Sequence, residues 1–436
     1  MVSFLYLYLK FIFVMQINKI IIQNFRNIEE EITYPLNPKF TGIIGINGKG
    51  KSSILTALKI AAGAYFLGIP EVAKRNIWDA EIRRKDYKSH LTRMTPTVIR
   101  AEGSIDDQPL TKSWARRIPE GAVRTTANQE DVGEIKKIAI EKYKAIKDGS
   151  SDVDNPVIAF FGTARLYGPG RNTIGLGNYE GRDIFRLGYY NWSDMQYSTY
   201  NYTNWLNSHR FMVKDKRESP NLYKAFIQAI RAANPYITAI DFDGKELRLR
   251  VKMGDDTPES AFLPLSLHSD GVINHTAMVA ELAYRCIMLN AHLGLDTIVG
   301  SRGIVMIDEL DLHLHPNWQR HVVGDLKKAF PNIQFVVTTH SPFIVQSLSG
   351  DELINLDVIA DIDPKTLTVD QVATHIMQVE SEYSTQNEEK FKVTKDFLEK
   401  LNDDNVNERT LDADLESVND PALRAYLELN KMAKRK

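Results

Sequence analysis

The sequence predicts an α/β fold: a parallel sheet with a glycine-rich loop, added antiparallel strands, a helical insertion and a helical C-terminal region. A short apolar strand at 41–46 runs into the glycine-rich loop and then into a helix at 52–66. Apolar strands at 303–307 and 334–338 alternate with helical segments, which is typical of a parallel sheet covered on both faces. Residues 15–35 hold two short alternating segments, which predict a pair of antiparallel strands.

Four regions are expected along the chain. Residues 15–70 and 236–350 should form the two parts of the main α/β domain, and residues 71–235 the helical insertion. Residues 351–436 are predicted to be mostly helical and to contact a partner or a second copy. Further strands are expected at 157–161, 237–242, 246–253 and 261–266, and helices at 221–233, 272–293 and 316–330.

Composition places the chain among soluble globular proteins. Its 436 residues suffice for one large domain with an insertion or for two to three domains. A net charge of −2 excludes a chain that is basic throughout. Residues 71–147 carry 17 Lys and Arg against 12 Asp and Glu, so this stretch could face a polyanion. Solvated helix faces are the alternative interpretation.

Cys286 is the single cysteine, so the chain cannot form an internal disulfide. We expect a buried core thiol and a reducing, cytoplasmic compartment. The apolar residues 1–14 are too short to span a bilayer, which takes about 20 residues. We favour Met15 as the natural start. An extra strand or a tail that touches a membrane are the alternatives, and no membrane contact is expected.

The run from Gly45 to Ser52, GINGKGKS, fits the pattern G-x-x-x-x-G-K-[ST] between a strand and a helix. Glycines let such a loop curl so that its N–H groups face phosphate oxygens, and the helix N-terminus adds positive charge. Lys51 should hold the β- and γ-phosphates of ATP, and Ser52 should ligate Mg²⁺. The residues expected to contact nucleotide here are Asn47, Gly48, Gly50, Lys51, Ser52 and Ser53.

Two acidic residues end the strand at 303–307. Asp308 is placed to hold Mg²⁺ through water, and Glu309 should point to the other side of the pleat and polarise an attacking water. His340 follows the neighbouring strand and is placed to reach a γ-phosphate.

These motifs resemble the RecF-like AAA family ATPases of the ABC/SMC superfamily. The resemblance rests on the runs DELDLHLHPNWQ at 308–319 and QFVVTTHSP at 334–342, and it covers about 15–65 and 255–345. It implies an ABC/SMC-type ATPase head that closes as a head-to-tail dimer around two nucleotides. It also implies Walker A, Walker B and switch-histidine roles for Lys51 and Ser52, for Asp308 and Glu309, and for His340.

The family also uses a signature loop that the partner's nucleotide contacts. The candidate is the run from Leu267 to Gly271, in which Ser269 and Gly271 would grip the γ-phosphate across the dimer. The family pattern has Leu before the Ser and a polar residue after the Gly. His268 and Val272 depart from it here, which leaves the hydrolysis rate and the dimer affinity open.

Three other features have competing interpretations. Arg165 follows the strand at 157–161 and is either a contact to nucleotide or partner, or a surface residue of a turn. The aromatic stretch 188–206 either stacks unpaired bases or packs in the core, and packing is favoured. Five basic residues are either phosphate contacts or, as we favour, surface charges: Arg83, Arg84, Lys85, Lys88 and Arg93.

Within the family, the chain most resembles the ATPase subunits of Septu-type anti-phage systems, which also accompany some retrons. That resemblance implies a sensor whose nucleotide state controls a small HNH-type nuclease partner. A DNA-repair or chromosome-maintenance ATPase is one alternative. Another is a self-contained Toprim-type nuclease, for which only Asp361 and Asp363 have suitable spacing.

Overall fold

The computed structural model describes residues 15–87, 90–106, 108–166, 184–193, 199–216, 219–252, 254, 258–357, 362–379, 385–402, 407–418 and 420–434. Predictions for residues 1–14, Lys88, Tyr197 and Asp361 lie outside these residues. The chain divides into two compact units, one ending at Val372 and the other beginning at Ala373. A short strand at Leu353–Asn355, beyond the boundary expected after residue 350, still pairs with the sheet of the first unit.

The strands, in chain order, are β1 (Met15–Gln23), β2 (Ile32–Pro35), β3 (Phe40–Ile44), β4 (Arg84–Tyr87), β5 (His90–Arg93), β6 (Thr97–Ile105), β7 (Gln108–Pro109), β8 (Trp114–Ile118), β9 (Val157–Phe161), β10 (Ile237–Phe242), β11 (Leu247–Val251), β12 (Leu263–Pro264), β13 (Gly303–Ile307), β14 (Ile333–Thr338) and β15 (Leu353–Asn355). The α-helices are α1 (Lys51–Ala62), α2 (Gln129–Lys147), α3 (Ile184–Gly188), α4 (Thr199–Lys214), α5 (Asn221–Ala233), α6 (Asp270–Asn290), α7 (Thr297–Gly300), α8 (Pro316–Gln319), α9 (Val322–Ala329), α10 (Pro342–Gln346), α11 (Val369–Gln371), α12 (Thr385–Asn402), α13 (Glu408–Ser417) and α14 (Pro421–Lys434).

A parallel sheet forms the centre of the first unit, in the order β15-β3-β14-β13-β9. Every residue of β3, β9, β13 and β14 is buried, which explains why these strands are almost wholly apolar. The strands run the same way, so the loops that follow them meet at one edge of the sheet. The predicted parallel sheet is therefore confirmed.

Antiparallel strands make up the rest of the sheet structure. One sheet has the order β2-β1-β6-β7 with β8 beside β6, and a second joins β10, β11 and β12. The side-chain amide of Gln334 links the central sheet to β1: it accepts from the N–H of Ile17 at 3.0 Å and donates to the Ile17 carbonyl at 2.8 Å. The predicted antiparallel pair at residues 15–35 is confirmed as β1 and β2.

The region 71–235 contains α2 to α5, as expected of a helical insertion, but strands alternate with them. β6 pairs with β1 and β9 pairs with β13, so this region contributes to the central parallel sheet and to the antiparallel sheet that contains β1. Three predicted elements are also shorter than expected. The helix expected at 52–66 ends at Ala62, the one at 316–330 is divided into α8 and α9, and the strand at 261–266 shrinks to β12.

The second unit is built from α12, α13 and α14. Its small core consists of Phe397, Leu411, Leu415, Val418 and Leu427. The predicted helical character of this region is therefore confirmed for the described residues after 385. Among the helices of the described residues, none combines the length and the apolar character needed to cross a membrane.

Cys286 lies in α6 and is fully buried. Burial raises the pKa of its thiol to about 12, so the group is neutral and unreactive at neutral pH. The expectation of a core cysteine is confirmed.

Candidate functional site

The glycine-rich loop between β3 and α1 has the conformation that its sequence requires. Gly45, Gly48 and Gly50 have φ values of 152°, 88° and 109°, which side chains with a Cβ rarely adopt. Asn47 and Gly48 are exposed at the crest of the loop, and α1 begins directly after it at Lys51. An exposed loop of this kind at a helix N-terminus suits a phosphate group.

Lys51 is folded over the base of this loop. Its ammonium group donates to the carbonyl of Gly45 at 2.6 Å and to that of Ile46 at 3.2 Å. Burial lowers the pKa of Lys51, and the charges of Asp357, Asp308 and Glu309 oppose that shift. An ammonium has three donors, so the two carbonyl bonds leave one for a phosphate oxygen.

Two residues that the sequence analysis did not single out brace the loop. The side-chain amide of Asn27 donates to the carbonyl of Gly48 at 3.0 Å and accepts from the Ser53 hydroxyl at 2.7 Å. A Cβ at Gly50 would come within 2.8 Å of the Asn27 amide nitrogen, so a glycine is needed there.

The second brace is Asp357, whose carboxylate accepts from the N–H of Ile46 at 2.7 Å. Its side chain is 4% exposed and lies 3.8 Å from the Lys49 ammonium. The sequence could have indicated Asp357, because it is an acidic residue shortly after an apolar strand. The same pattern predicted the role of Asp308.

Asp308 lies just beyond the end of β13 and faces α1. Its carboxylate oxygens are 3.3 and 3.5 Å from the Ser52 hydroxyl. The Thr338 hydroxyl donates to the same carboxylate at 2.6 Å. Hydroxyl and carboxylate oxygens are the ligands that Mg²⁺ prefers, so Ser52 and Asp308 together fit the predicted metal role.

Glu309 does not continue the pleat of β13, contrary to the geometry expected from the sequence. The strand ends at Ile307, and Glu309 has a φ of 53°, in the left-handed region. Its N–H donates to the Thr338 hydroxyl at 2.8 Å. Residues other than glycine in this conformation are uncommon and occur often at functional sites.

Arg165 lies in the loop after β9 and is buried, with 4% of its surface exposed. It donates to the main-chain carbonyl of Asp308 at 2.5 Å, of Glu309 at 2.6 Å and of Gly162 at 3.2 Å. The interpretation as a surface residue is wrong. The structure shows it bound to the backbone of the acidic pair, and the alternative of a contact to nucleotide or partner stays a prediction.

His340 follows β14, the strand between β3 and β13. It is exposed, and its main-chain N–H donates to the Asp311 carboxylate at 3.2 Å, while the Thr339 hydroxyl donates to the same oxygen at 2.6 Å. Asp311 thus anchors the turn that carries the histidine. The fold brings to one edge of the sheet the residues Lys51, Ser52, Asp308, Glu309 and His340.

The predicted signature loop opens α6. Ser269 is the N-cap residue, is exposed, and makes no side-chain cap hydrogen bond. A Cβ at Gly271 would meet the carbonyl oxygen of His313 at 2.5 Å. The loop after β13 therefore packs directly against this glycine, and Ser269 faces outward.

Of the aromatic stretch, Tyr189, Trp192, Tyr202 and Trp205 are each at most 5% exposed. Trp192 donates from its indole N–H to the carbonyl of Ala73 at 2.8 Å. The favoured interpretation as core packing is confirmed for these four residues.

The basic residues around β4 and β5 have acidic partners. The ion pairs are Arg83 with Glu29 at 2.8 Å, Lys85 with Glu29 at 2.9 Å, Arg84 with Asp79 at 2.5 Å and Arg93 with Asp79 at 3.1 Å. Lys85 and Arg83 lower the pKa of the Glu29 carboxyl. These contacts support the interpretation as surface charges.

Asp363 caps the short helix Pro364–Thr366 by accepting from the N–H of Lys365 at 3.1 Å. Within the described part of the chain, no group of three or more His, Cys, Asp or Glu side chains is arranged to hold a metal. The Toprim alternative therefore has no supporting arrangement among these residues.

The chain matches two protein families. Residues 15–95 match the family described as "AAA ATPase domain", and residues 196–346 match that described as "AAA domain, putative AbiEii toxin, Type IV TA system". The first stretch contains the glycine-rich loop, and the second contains Asp308, Glu309 and His340.

Curated relatives match over short stretches. The Retron Vc95 probable ATPase of Vibrio cholerae serotype O1 biovar El Tor is 41% identical over 85 residues, which are 20% of this chain and 16% of that protein. The Retron Ec83 probable ATPase of Escherichia coli is 42% identical over 85 residues, or 20% and 15%. The Septu protein PtuA of Bacillus thuringiensis is 48% identical over 61 residues, or 14% and 15%. The matches thus span less than a fifth of each relative.

Among solved structures, the SMC head domain from Thermotoga maritima is 14% identical with a TM-score of 0.43, covering 80% of this chain and 97% of that one. The recombination mediator protein RecF-ATPrS in the RecFOR pathway is 12% identical with a TM-score of 0.38, covering 79% of this chain and 98% of that one.

Proposed function

We propose that this chain, an ABC/SMC-type ATPase close to the Septu protein PtuA, binds ATP with Mg²⁺ and hydrolyses it as a head-to-tail dimer. The observation that carries the proposal is the convergence of Lys51, Ser52, Asp308 and Glu309 at one edge of a parallel sheet. A cation, metal ligands and a general base are the groups that phosphoryl transfer to water requires.

The phosphate loop supplies the binding step. Asn47, Gly48, Gly50 and Ser53 belong to the loop and the first turn of α1, where main-chain N–H groups and the helix dipole attract the phosphates. Lys51 would donate its third ammonium N–H to a β- or γ-phosphate oxygen. Ser52 and Asp308 would hold Mg²⁺, which neutralises phosphate charge when bound.

Hydrolysis needs a group that accepts a proton from water. Glu309 is partly exposed beside the metal ligands and can orient and deprotonate the attacking water. His340, on the neighbouring loop, is placed to stabilise the charge that develops on the γ-phosphate. Ser269 and Gly271 would complete the site from the second subunit, and the exposed Ser269 at the start of α6 supports this.

We further assign the ATPase a regulatory role, in which its nucleotide state controls a nuclease partner of the HNH type in anti-phage defence. The similarity to two retron probable ATPases and to a Septu protein PtuA supports the ATPase part of this role, and the nuclease partner is our own assignment. The paired basic residues and the buried aromatic residues reduce the support for a nucleic-acid surface on the described part of this chain. The C-terminal unit from Ala373 onward is the candidate surface for the partner or for oligomer contacts.

Two measurements test the proposal. The purified chain should hydrolyse ATP only with Mg²⁺, and absence of turnover under any condition would contradict the enzymatic part. Affinity purification of the tagged protein from its native host, followed by mass spectrometry, should recover a small HNH-type nuclease in stoichiometric amount. A chain purified alone as a homo-oligomer would instead favour the DNA-repair or chromosome-maintenance alternative.

Truncation after Val372 sharpens the partner test. The truncated chain keeps every residue of the nucleotide site, so ATP binding should be retained while nuclease recovery is lost. Recovery of the nuclease in equal amount with the truncated chain would show that the first unit carries the contact.

A further inference from the structure

Arg165 is a buried cation that contacts main-chain oxygens. Burial of a guanidinium group is unfavourable unless its donors are bonded, and here three carbonyls accept from Arg165. Two of these carbonyls belong to consecutive residues, Asp308 and Glu309. The planar fork of arginine presents parallel N–H groups, which lets one side chain hold two neighbouring peptide oxygens.

The turn at Asp308 and Glu309 is held from two sides. On one side, the Thr338 hydroxyl accepts from the Glu309 N–H at 2.8 Å, and the Thr338 carbonyl accepts from the Leu310 N–H at 2.9 Å. On the other side, Arg165 binds the two carbonyls at 2.5 and 2.6 Å. The left-handed φ of 53° at Glu309 requires such support, because a side chain with a Cβ is strained there by about 1–3 kcal/mol.

We propose that Arg165 is a positioning residue for ATP hydrolysis: it locks the Asp308–Glu309 turn and so aims the Glu309 carboxylate at the attacking water. The proposal rests on the proposed ATPase function. The proposal predicts that loss of Arg165 lowers the rate of hydrolysis more than the affinity for ATP. The reason is that Arg165 binds the backbone of Asp308 and Glu309 and not the phosphate loop. The loop after β9, which carries Arg165, would then help to fix the position of the Glu309 carboxylate.

The test compares Arg165→Lys and Arg165→Ala with wild type and Glu309→Gln. Lysine keeps the charge but lacks the fork. Both Arg165 variants should bind ATP with a Kd within about twofold of wild type. Their single-turnover hydrolysis should fall by about 100-fold, the effect of a small displacement of a catalytic group.

Arg285 offers a matched control elsewhere in the fold. It is 2% exposed and donates to the carbonyls of Gly188 at 2.8 Å and Tyr190 at 2.5 Å. Arg285→Lys should lower the melting temperature about as much as Arg165→Lys and leave hydrolysis near the wild-type rate. Added guanidinium should restore hydrolysis to Arg165→Ala, because it can refill the truncated site, and should not accelerate wild type.

Three results would overturn the proposal. Hydrolysis at the wild-type rate in both Arg165 variants, with Glu309→Gln inactive, would leave the ATPase assignment standing and remove the role of Arg165. A loss of ATP affinity equal to the loss of rate would make Arg165 a binding residue. Absence of hydrolysis in the wild type would remove the proposed function and this inference together.

Discussion

The glycine-rich loop between β3 and α1 and the predicted signature loop at the start of α6 differ in how their residues are hydrogen-bonded. At the glycine-rich loop, Asn27 braces the carbonyl of Gly48 and Asp357 braces the N–H of Ile46, so the loop is shaped before a ligand arrives. At the signature loop, Ser269 is exposed and has no cap hydrogen bond. The glycine-rich loop is thus held by residues of its own chain, whereas Ser269 of the predicted signature loop faces outward.

A close backbone contact connects the start of α6 with the segment that follows the acidic pair. Gly271 leaves no room for a Cβ beside the His313 carbonyl, and His313 itself has a φ of 61°. The segment that follows the acidic pair therefore packs against the start of α6. The difference teaches that the glycine-rich loop is braced within its own chain, whereas Ser269 has no such brace, as the proposed action across a dimer requires.

Loss of the Lys51 ammonium group should have the largest effect, and the affected property is ATP binding. Lys51→Ala is expected to abolish measurable ATP binding, because the charge of the β- and γ-phosphates loses its main partner. Isothermal titration calorimetry with ATP and Mg²⁺ measures this change in affinity. Lys19→Ala, at a surface ion pair with Glu102, is the control and should bind normally. Retained affinity in Lys51→Ala would remove the assignment of the phosphate loop.

Loss of the base should affect the chemistry alone. Glu309→Gln should bind ATP, hydrolyse it about 10²–10⁴-fold more slowly, and accumulate as a closed dimer on size-exclusion chromatography with ATP. Glu120→Gln, at an exposed carboxylate elsewhere, should behave as wild type. A wild-type rate in Glu309→Gln would show that another group activates the water.

Subunit mixing separates the two regions directly. Lys51→Ala and Ser269→Ala should each be nearly inactive alone. A mixed dimer of the two holds one site with both residues intact, so an equimolar mixture should recover about a quarter of the wild-type rate if subunits exchange freely. If the mixture remains as inactive as its components, Ser269 does not act across a dimer.

The smallest expected effect concerns the titration of Asp325, a residue of α9. Asp325 lines a small cavity together with His275 and Trp318, and burial raises its pKa to about 6. Because the folded pKa exceeds the unfolded value of about 3.9, the folded protein binds more protons in this window and its stability falls as pH rises from about 4 to 6. Solvent screening of this partly exposed group limits the effect to about 1 kcal/mol.

Asp325→Asn should remove this dependence. Urea unfolding at pH 5 and pH 7 should show a smaller stability difference in the variant than in wild type. Equal differences in the two proteins would mean that Asp325 titrates normally and that other groups set the pH dependence.

Several parts of the site were predictable because their signals are local. The strand, loop and helix around Lys51 occupy a short stretch, and the positive φ angles there select glycine whatever the rest of the chain does. Asp308 was equally predictable, because an apolar strand that ends in acidic residues is recognisable from a few consecutive positions. The helix bounds were predicted less well: α1 ends at Ala62, with Gly63 as its C-cap, and the segment 316–330 is divided at 320–321.

The sequence by itself thus determined the parallel sheet, the phosphate loop and the order of the acidic pair and the histidine, since each depends on neighbours along the chain. Only the tertiary structure decided how these groups are held. Asp357 bonds Ile46 across 311 positions of the chain, and Arg165 bonds Asp308 across 143. Such contacts carry no local pattern, because they arise when the ends of parallel strands from distant segments are brought to one edge of a sheet.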